Sequence, residues 1–363
     1  MPISAKYLLI GSTEAYSGKS ATVIGLADQL QKKGLDIAYG KPVGSNFSED
    51  QGKVGEADVE FIKQILALSP QRLLPTLLNL NGTTVKKRLS GEDKTDYQQE
   101  ARQYLQTSSG DLVLLEGAGN LAEGMLFDLS LPQVAQAVGA SVLLVVRYQS
   151  VLSMEALLAA KFSLGESLVG VLINDIPADE LEFARNQICP FLEQQNIPVL
   201  GMLPKNALLR SVSVAELVKQ LQAEVLCRGD RLNLMVESLA IGAMNVNSAL
   251  KYFRKRRNMA VVTGGDRVEI QLAALESSTQ CLILTGQVPP PDFILNKAEE
   301  LEIPILSVDL DTLSTVEIVD RAFGQVRLHE PIKVDCIRQL MQEHFDIDRL
   351  LSILGIEAAV ALP

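Results

Sequence analysis

Glycine, lysine and a hydroxyl residue in succession, Gly18-Lys19-Ser20, form the sharpest chemical signal in the chain. They close the segment GSTEAYSGKS, residues 11–20, which follows the apolar run Tyr7-Leu8-Leu9-Ile10 and precedes an amphipathic stretch. Between a strand and a helix, successive backbone N–H groups can wrap phosphate oxygens, and the positive end of the helix dipole favours their charge. There Gly18 lets the backbone come close, Lys19 reaches the β- and γ-phosphates, and the Ser20 hydroxyl binds Mg²⁺. Thr13, Glu14, Ser17 and Ala21 complete the predicted nucleotide contacts. The motif is irregular, because G-x-x-x-x-G-K-[ST] requires glycine where the chain has Thr13, and Gly11 stands too early. A Gly-Lys-Ser turn opening an ordinary helix is the competing reading, and the strand–loop–helix context disfavours it.

Three further positions fit the same chemistry. Leu112–Leu115 leads into Glu116-Gly117-Ala118-Gly119, which puts a carboxylate at the carboxyl end of a strand, where open α/β sheets bind ligands. Glu116 is expected to complete a magnesium shell with Ser20 and phosphate oxygens; the plainer alternative is a turn acid before glycines. Lys41, in Lys41-Pro42-Val43-Gly44, ends the second strand at the same edge and is assigned to substrate or γ-phosphate, against the alternative of a surface lysine. Asp58 precedes the helix VEFIKQIL and serves either magnesium or the helix N-cap. In the second half, Gly264-Gly265-Asp266-Arg267 sits where a strand turns into a helix, and reads either as a second ligand site or as a tight turn with Asp266 as N-cap.

The elements that must position these groups follow from periodicity. Val23, Leu26, Ala27 and Leu30 share one helical face after the loop. Strands at Ile37–Tyr39, Leu112–Leu115, Val142–Val146, Val169–Ile173 and Val199-Leu200 alternate with helices at about 59–68, 151–162 and 179–194, predicting a parallel sheet covered on both faces. The fold class is thus α/β, with domains expected at 1–205, 212–325 and, as a helical tail, 326–363. The second domain is read as a helical stretch over 212–253. Strands at 260–262, 282–284 and 305–308 follow, with helices at 266–276, 292–301 and 312–323.

Composition excludes several classes. With 363 residues, a net charge of −11 and a pI near 4.9, the chain is a poor partner for nucleic acid. The four cysteines are scattered without a CxxC pair, and neither of the two histidines, His329 and His344, neighbours a nucleophile. No apolar run is long enough to span a bilayer and the N-terminus is a poor signal peptide, so a cytoplasmic location is expected. Residues 212–253 and the tail are candidates for a contact in a homo-oligomer.

The residues GSTEAYSGKS, KPVG (41–44), EGAGN (116–120) and VGVLIND (169–175) resemble dethiobiotin synthetase and the N-terminal domain of long phosphotransacetylases. GAMNVNSALKYF (242–253) and TGGDRVEIQLAALE (263–276) resemble a DRTGG domain. The resemblance covers about residues 5–350. It implies that Lys19 and Ser20 take phosphate and magnesium, that Asp58 and Glu116 are metal-side carboxylates, and that Lys41 holds an acid substrate or its carbamate. It also implies that Asn174 reads the adenine base; an Asx-turn after the strand is the alternative reading of the residue itself. The segment Ser45–Gly55 lacks the synthetase's substrate pattern, and no phosphotransacetylase catalytic domain is expected. The expected function is an ATP- and magnesium-binding regulatory protein. The alternative is an ATP-dependent ligase acting on an amine or carboxylic acid.

Overall fold

The computed structural model describes residues 6–45, 47–50, 53–104, 110–326, 328 and 330–356. His329 and the last part of the predicted tail, 357–363, lie outside the described residues. The chain forms two units, residues 1–205 together with 328–363, and residues 206–327.

The first unit is built on β1 (Lys6–Ser12), α1 (Lys19–Lys32), β2 (Ile37–Gly40), α2 (Ala57–Ile65), β3 (Leu73–Leu74), β4 (Leu112–Glu116), α3 (Leu131–Val138), β5 (Ser141–Arg147), α4 (Ser153–Leu164), β6 (Leu168–Ile176) and β7 (Val199–Pro204). The strands make one seven-stranded parallel sheet in the order β7-β6-β5-β1-β4-β2-β3. Every residue of Leu112–Glu116 is buried, as expected of a central strand covered on both faces. One face carries Leu9, Val113, Leu115, Val142 and Leu144 beneath α3 and α4. The chain passes to β4 on one side of β1 and then crosses to β5 on the other, so the carboxyl end of β1 is the topological switch point where ligands bind in such sheets.

The predicted single apolar face of α1 is too narrow. Ile24 and Gly25 are buried as well as Val23, Leu26, Ala27 and Leu30, because a second layer covers the helix. That layer is the tail, which forms α10 (Pro331–His344) and α11 (Ile347–Leu354) and packs on α1, β6 and β7 of its own chain.

The second unit contains α5 (Val214–Leu221), β8 (Glu224–Cys227), β9 (Ser238–Ile241), α6 (Val246–Phe253), β10 (Met259–Gly264), α7 (Val268–Leu275), β11 (Thr279–Thr285), α8 (Asp292–Glu300), β12 (Ile305–Val308) and α9 (Thr312–Gly324). Its five-stranded sheet runs β8-β12-β11-β10-β9, with β8 antiparallel. The expectation of helix throughout 212–253 is overturned, since β8 and β9 lie within it. Both are four-residue edge strands, EVLC and SLAI, too short to show a period of two, and pairing with a neighbour is what stabilises them. Alternate residues of β10 and β11 feed two cores, Val261, Leu282 and Leu284 on one face, Ala260, Val262 and Ile283 on the other.

Candidate functional site

The loop after β1 delivers its residues to the carboxyl edge of the first sheet. Gly18 has φ +108°, a left-handed conformation that glycine adopts without strain, and a Cβ there would lie 2.5 Å from Asn174 Nδ2. Gly18 is also the N-cap of α1 and brings no side-chain cap, so the first-turn N–H groups stay available to a ligand. Thr13, Glu14 and Ala21 line the same loop and first turn, half-buried. The Glu14 carboxylate accepts from Gln149 Nε2 at 2.6 Å.

Lys19 is 8% exposed, and its ammonium donates to Ser12 Oγ at 2.8 Å and to Gly119 O at 3.1 Å. Burial pulls its pKa below the ordinary lysine value, against the opposing pull of Glu116. The Ser20 hydroxyl donates to Glu116 Oε1 at 2.8 Å, while Tyr39 OH donates to Glu116 Oε2 at 3.0 Å. Tyr39 is wholly buried, and desolvation together with Glu116 raises its pKa well above normal, so it remains a donor.

Lys41 also reaches this edge, but its ammonium is engaged. It donates to Glu56 Oε1 at 2.6 Å and to Asp58 Oδ2. Burial disfavours its charge, yet Glu116, Asp58 and Glu56 together outweigh burial and hold its pKa above the usual value. The N-cap alternative for Asp58 is corrected. Glu56 caps α2, with Oε2 accepting from Asp58 N at 2.9 Å and Val59 N at 3.2 Å, and Asp58 sits inside the first turn. Asn174 meets the loop itself, donating from Nδ2 to Ser17 O at 2.8 Å. Sequence reasoning missed Ser12, Tyr39, Glu56 and Gly119. Ser12 and Gly119 lie inside the two loop segments singled out above without a role of their own, and Glu56 left a local trace as an acid two residues before the predicted helix acid.

The donor set fits a nucleotide with magnesium. Ser17 Oγ is buried without a hydrogen-bond partner among the described residues, in a loop of backbone amides suited to phosphate. Ser20 and Glu116 offer hard oxygen ligands, and magnesium characteristically relies on one or two carboxylates plus phosphates rather than a protein cage. Among the described residues no group of three or more His, Cys, Asp or Glu is placed to hold a metal by itself.

The Gly264–Arg267 turn is built differently. Neither glycine has positive φ. A Cβ on Gly265 would stand 2.1 Å from Val288 O, so close backbone approach is what glycine permits there. The alternative of Asp266 as N-cap is also corrected: Arg267 is the N-cap of α7, no side chain caps the helix, and the Arg267 guanidinium donates to Met244 O at 2.8 Å. Gly265→Ala is expected to destabilise the second unit by about 3 kcal/mol, because backbone must shift to admit the methyl. Urea unfolding followed by a probe in that unit checks this, and a midpoint equal to wild type would refute the packing argument.

Comparison with known proteins places these features in context. Residues 6–213 match the family model described as an AAA domain, and residues 216–322 match the one described as a DRTGG domain. The phosphate acetyltransferase of Nitratidesulfovibrio vulgaris is 26% identical over 369 residues, covering 96% of this chain and 51% of that protein. That of Synechocystis sp. is 26% identical over 371 residues, with 96% and 51% covered. The chain therefore spans about half the length of these curated relatives. A solved structure of the CBS and DRTGG domains from the regulatory region of Clostridium perfringens pyrophosphatase is similar at 23% identity, with a TM-score of 0.28, covering 43% of this chain and 75% of that one. No helix among the described residues is long and apolar enough to cross a membrane.

Proposed function

Because this chain belongs to the AAA domain family, in a dethiobiotin synthetase-like P-loop form followed by a DRTGG domain, we propose that it binds ATP with Mg²⁺ and acts as a regulatory protein rather than as an acyl- or carboxyl-transferring enzyme. The observation that carries the reading is the Lys19–Ser20–Glu116 arrangement. A buried ammonium, a helix-start hydroxyl and a strand-end carboxylate meet beneath a loop whose glycine is left-handed. In this reading the loop N–H groups and Lys19 bind the phosphates, Ser20 and Glu116 bind magnesium, and Asn174 holds the loop in register through Ser17 O. Magnesium would neutralise phosphate charge. Asp58 is a further candidate for its outer coordination, and the adenine-reading role of Asn174 belongs to the proposal. The relatives named for phosphate acetyl transfer are about twice as long, so that activity is not carried over.

What separates a sensor from a ligase is Lys41. A ligase of this kind needs an ammonium open to an acid substrate, and Lys41 is 6% exposed and bonded to carboxylates of its own chain. Calorimetric titration of ATP·Mg²⁺ with a parallel phosphate-release assay tests the proposal. Saturable binding is expected, with turnover that small amines and carboxylic acids do not stimulate. Failure to bind would overturn it, and stimulated turnover would replace the sensor with the ligase.

A further inference from the structure

Charge in the second unit is sorted by the ends of its sheet. Strands β9 to β12 are parallel, so their carboxyl ends share one edge, from which α7, α8 and α9 start, and their amino ends share the other. At the carboxyl edge Asp266 follows β10, Asp292 opens α8 and Asp309 follows β12, all three exposed. Acids suit that edge because helix N-termini carry partial positive charge. At the amino edge the end of α6 and the turn into β10 expose Lys251, Arg254, Lys255 and Arg257, in a chain whose net charge is −11. None of these seven residues has an ion-pair partner among the described residues, whereas Arg228, Arg231 and Lys297 pair with Glu299, Glu302 and Glu300 at 3.3–4.0 Å. Glu276, at the end of α7, and Asp320, near the end of α9, offset only part of the basic charge.

We propose that the second unit self-associates head to tail, the basic amino edge of the sheet in one copy docking on the acidic carboxyl edge in another. The partner is a second copy because this unit carries both halves of a complementary pair, on ends that cannot meet within one chain. β10 alone is six residues long, which holds its two ends roughly 20 Å apart. Apolar and aromatic groups stand beside the charges. Phe293 is 52% and Leu313 68% exposed at the acidic edge; at the basic one Tyr252 is 39% exposed, with the Arg256 guanidinium 4.5 Å over its ring. The contact is heterologous, since two different surfaces meet, so a pair of copies keeps one edge of each kind open to further copies. Complementary fields steer such an encounter, and salt screens it. The nucleotide loop takes no part in it, so it stands or falls apart from ATP binding.

Sedimentation velocity of the full chain tests this. Association that grows with protein concentration is expected at about 0.01 M salt and should be lost at about 1 M, where the Debye length has fallen to about 3 Å. Arg254→Glu/Arg257→Glu should weaken association by more than about tenfold, as should Asp266→Lys/Asp309→Lys, because each sets like charges face to face. An equimolar mixture of the two variants should associate again, since each retains the edge that the other has lost. A wild type that stays monomeric at low salt would overturn the proposal, as would association that neither variant weakens. So would a mixture that stays dissociated while both variants melt like wild type. Should either variant not fold, carbodiimide cross-linking of isotopically light and heavy wild type, mixed at low salt, decides instead. Links from Lys251 or Lys255 to Asp266, Asp292 or Asp309 are expected, joining light peptides to heavy ones. Cross-linked dimers without those links would overturn the head-to-tail contact.

Discussion

Alanine at position 19 is expected to weaken ATP·Mg²⁺ binding by about 10²–10³-fold, the usual consequence of truncating one partner of a desolvated charge pair. The Lys19 ammonium is already at the loop, fixed by Ser12 Oγ and Gly119 O, so little side-chain ordering opposes its use on a phosphate. The same geometry predicts that the variant stays folded. Removing a buried ammonium relieves its desolvation, and the Ser12 hydroxyl keeps an acceptor for its one proton in Glu14 O at 2.7 Å or Gly119 O at 3.1 Å. The melting temperature of the apoprotein should therefore change by the equivalent of about 1 kcal/mol or less. Calorimetry and a melt on the same preparation read both halves. Affinity within about threefold of wild type would remove Lys19 from the phosphate site, and an unfolded variant would contradict the packing described.

A chain ending at residue 326 is expected to lose the cooperative unfolding of the first unit altogether. Val334, Ile337, Met341, Ile347, Leu350 and Leu351 of the tail helices are buried, and at roughly 1.5–3 kcal/mol each their sum is comparable with the whole stability of a domain. The fit is close, since a Cβ on Gly25 of α1 would stand 2.4 Å from Met341 Cγ. Polar contacts reinforce it: Arg349 Nη1 and Nη2 each donate to Glu193 at 2.8 Å, and Arg338 Nε lies 3.2 Å from Asp28 Oδ1. Differential scanning calorimetry should show the transition of the second unit surviving and that of the first replaced by a broad or absent one with increased dye binding. Two transitions as sharp as in the full chain would show the tail to be dispensable.

The nucleotide half of the site was legible because its parts are local. Gly18, Lys19 and Ser20 are consecutive, and Glu116 closes a strand whose unbroken apolar run gives away its central place. Strand and helix alternation in the first unit was legible for the same reason, with boundaries moved by a few residues. Glu56 was hidden because its role depends on meeting Lys41 across the fold, and an acid at a helix start has a sufficient local explanation. Tyr39 was read only as a strand residue, since nothing in Ile37-Ala38-Tyr39 shows that the hydroxyl faces Glu116. The strands at 224–227 and 238–241 were hidden because a four-residue edge strand has too few alternations to show a period of two. The tail's amphipathic face was visible, but its partner was not.

The return of the tail to α1 has a consequence for synthesis. The ribosome releases the chain from its amino end, and domains ordinarily complete their folding as they emerge. Here the helix that begins at the Gly18 loop is made before the second unit, while the helices that cover it, Pro331–His344 and Ile347–Leu354, are made after that unit. The whole second unit is translated in between and can settle first. Throughout that interval the outer side of α1 has no cover, so the nascent chain presents an apolar surface to chaperones until those two helices are delivered.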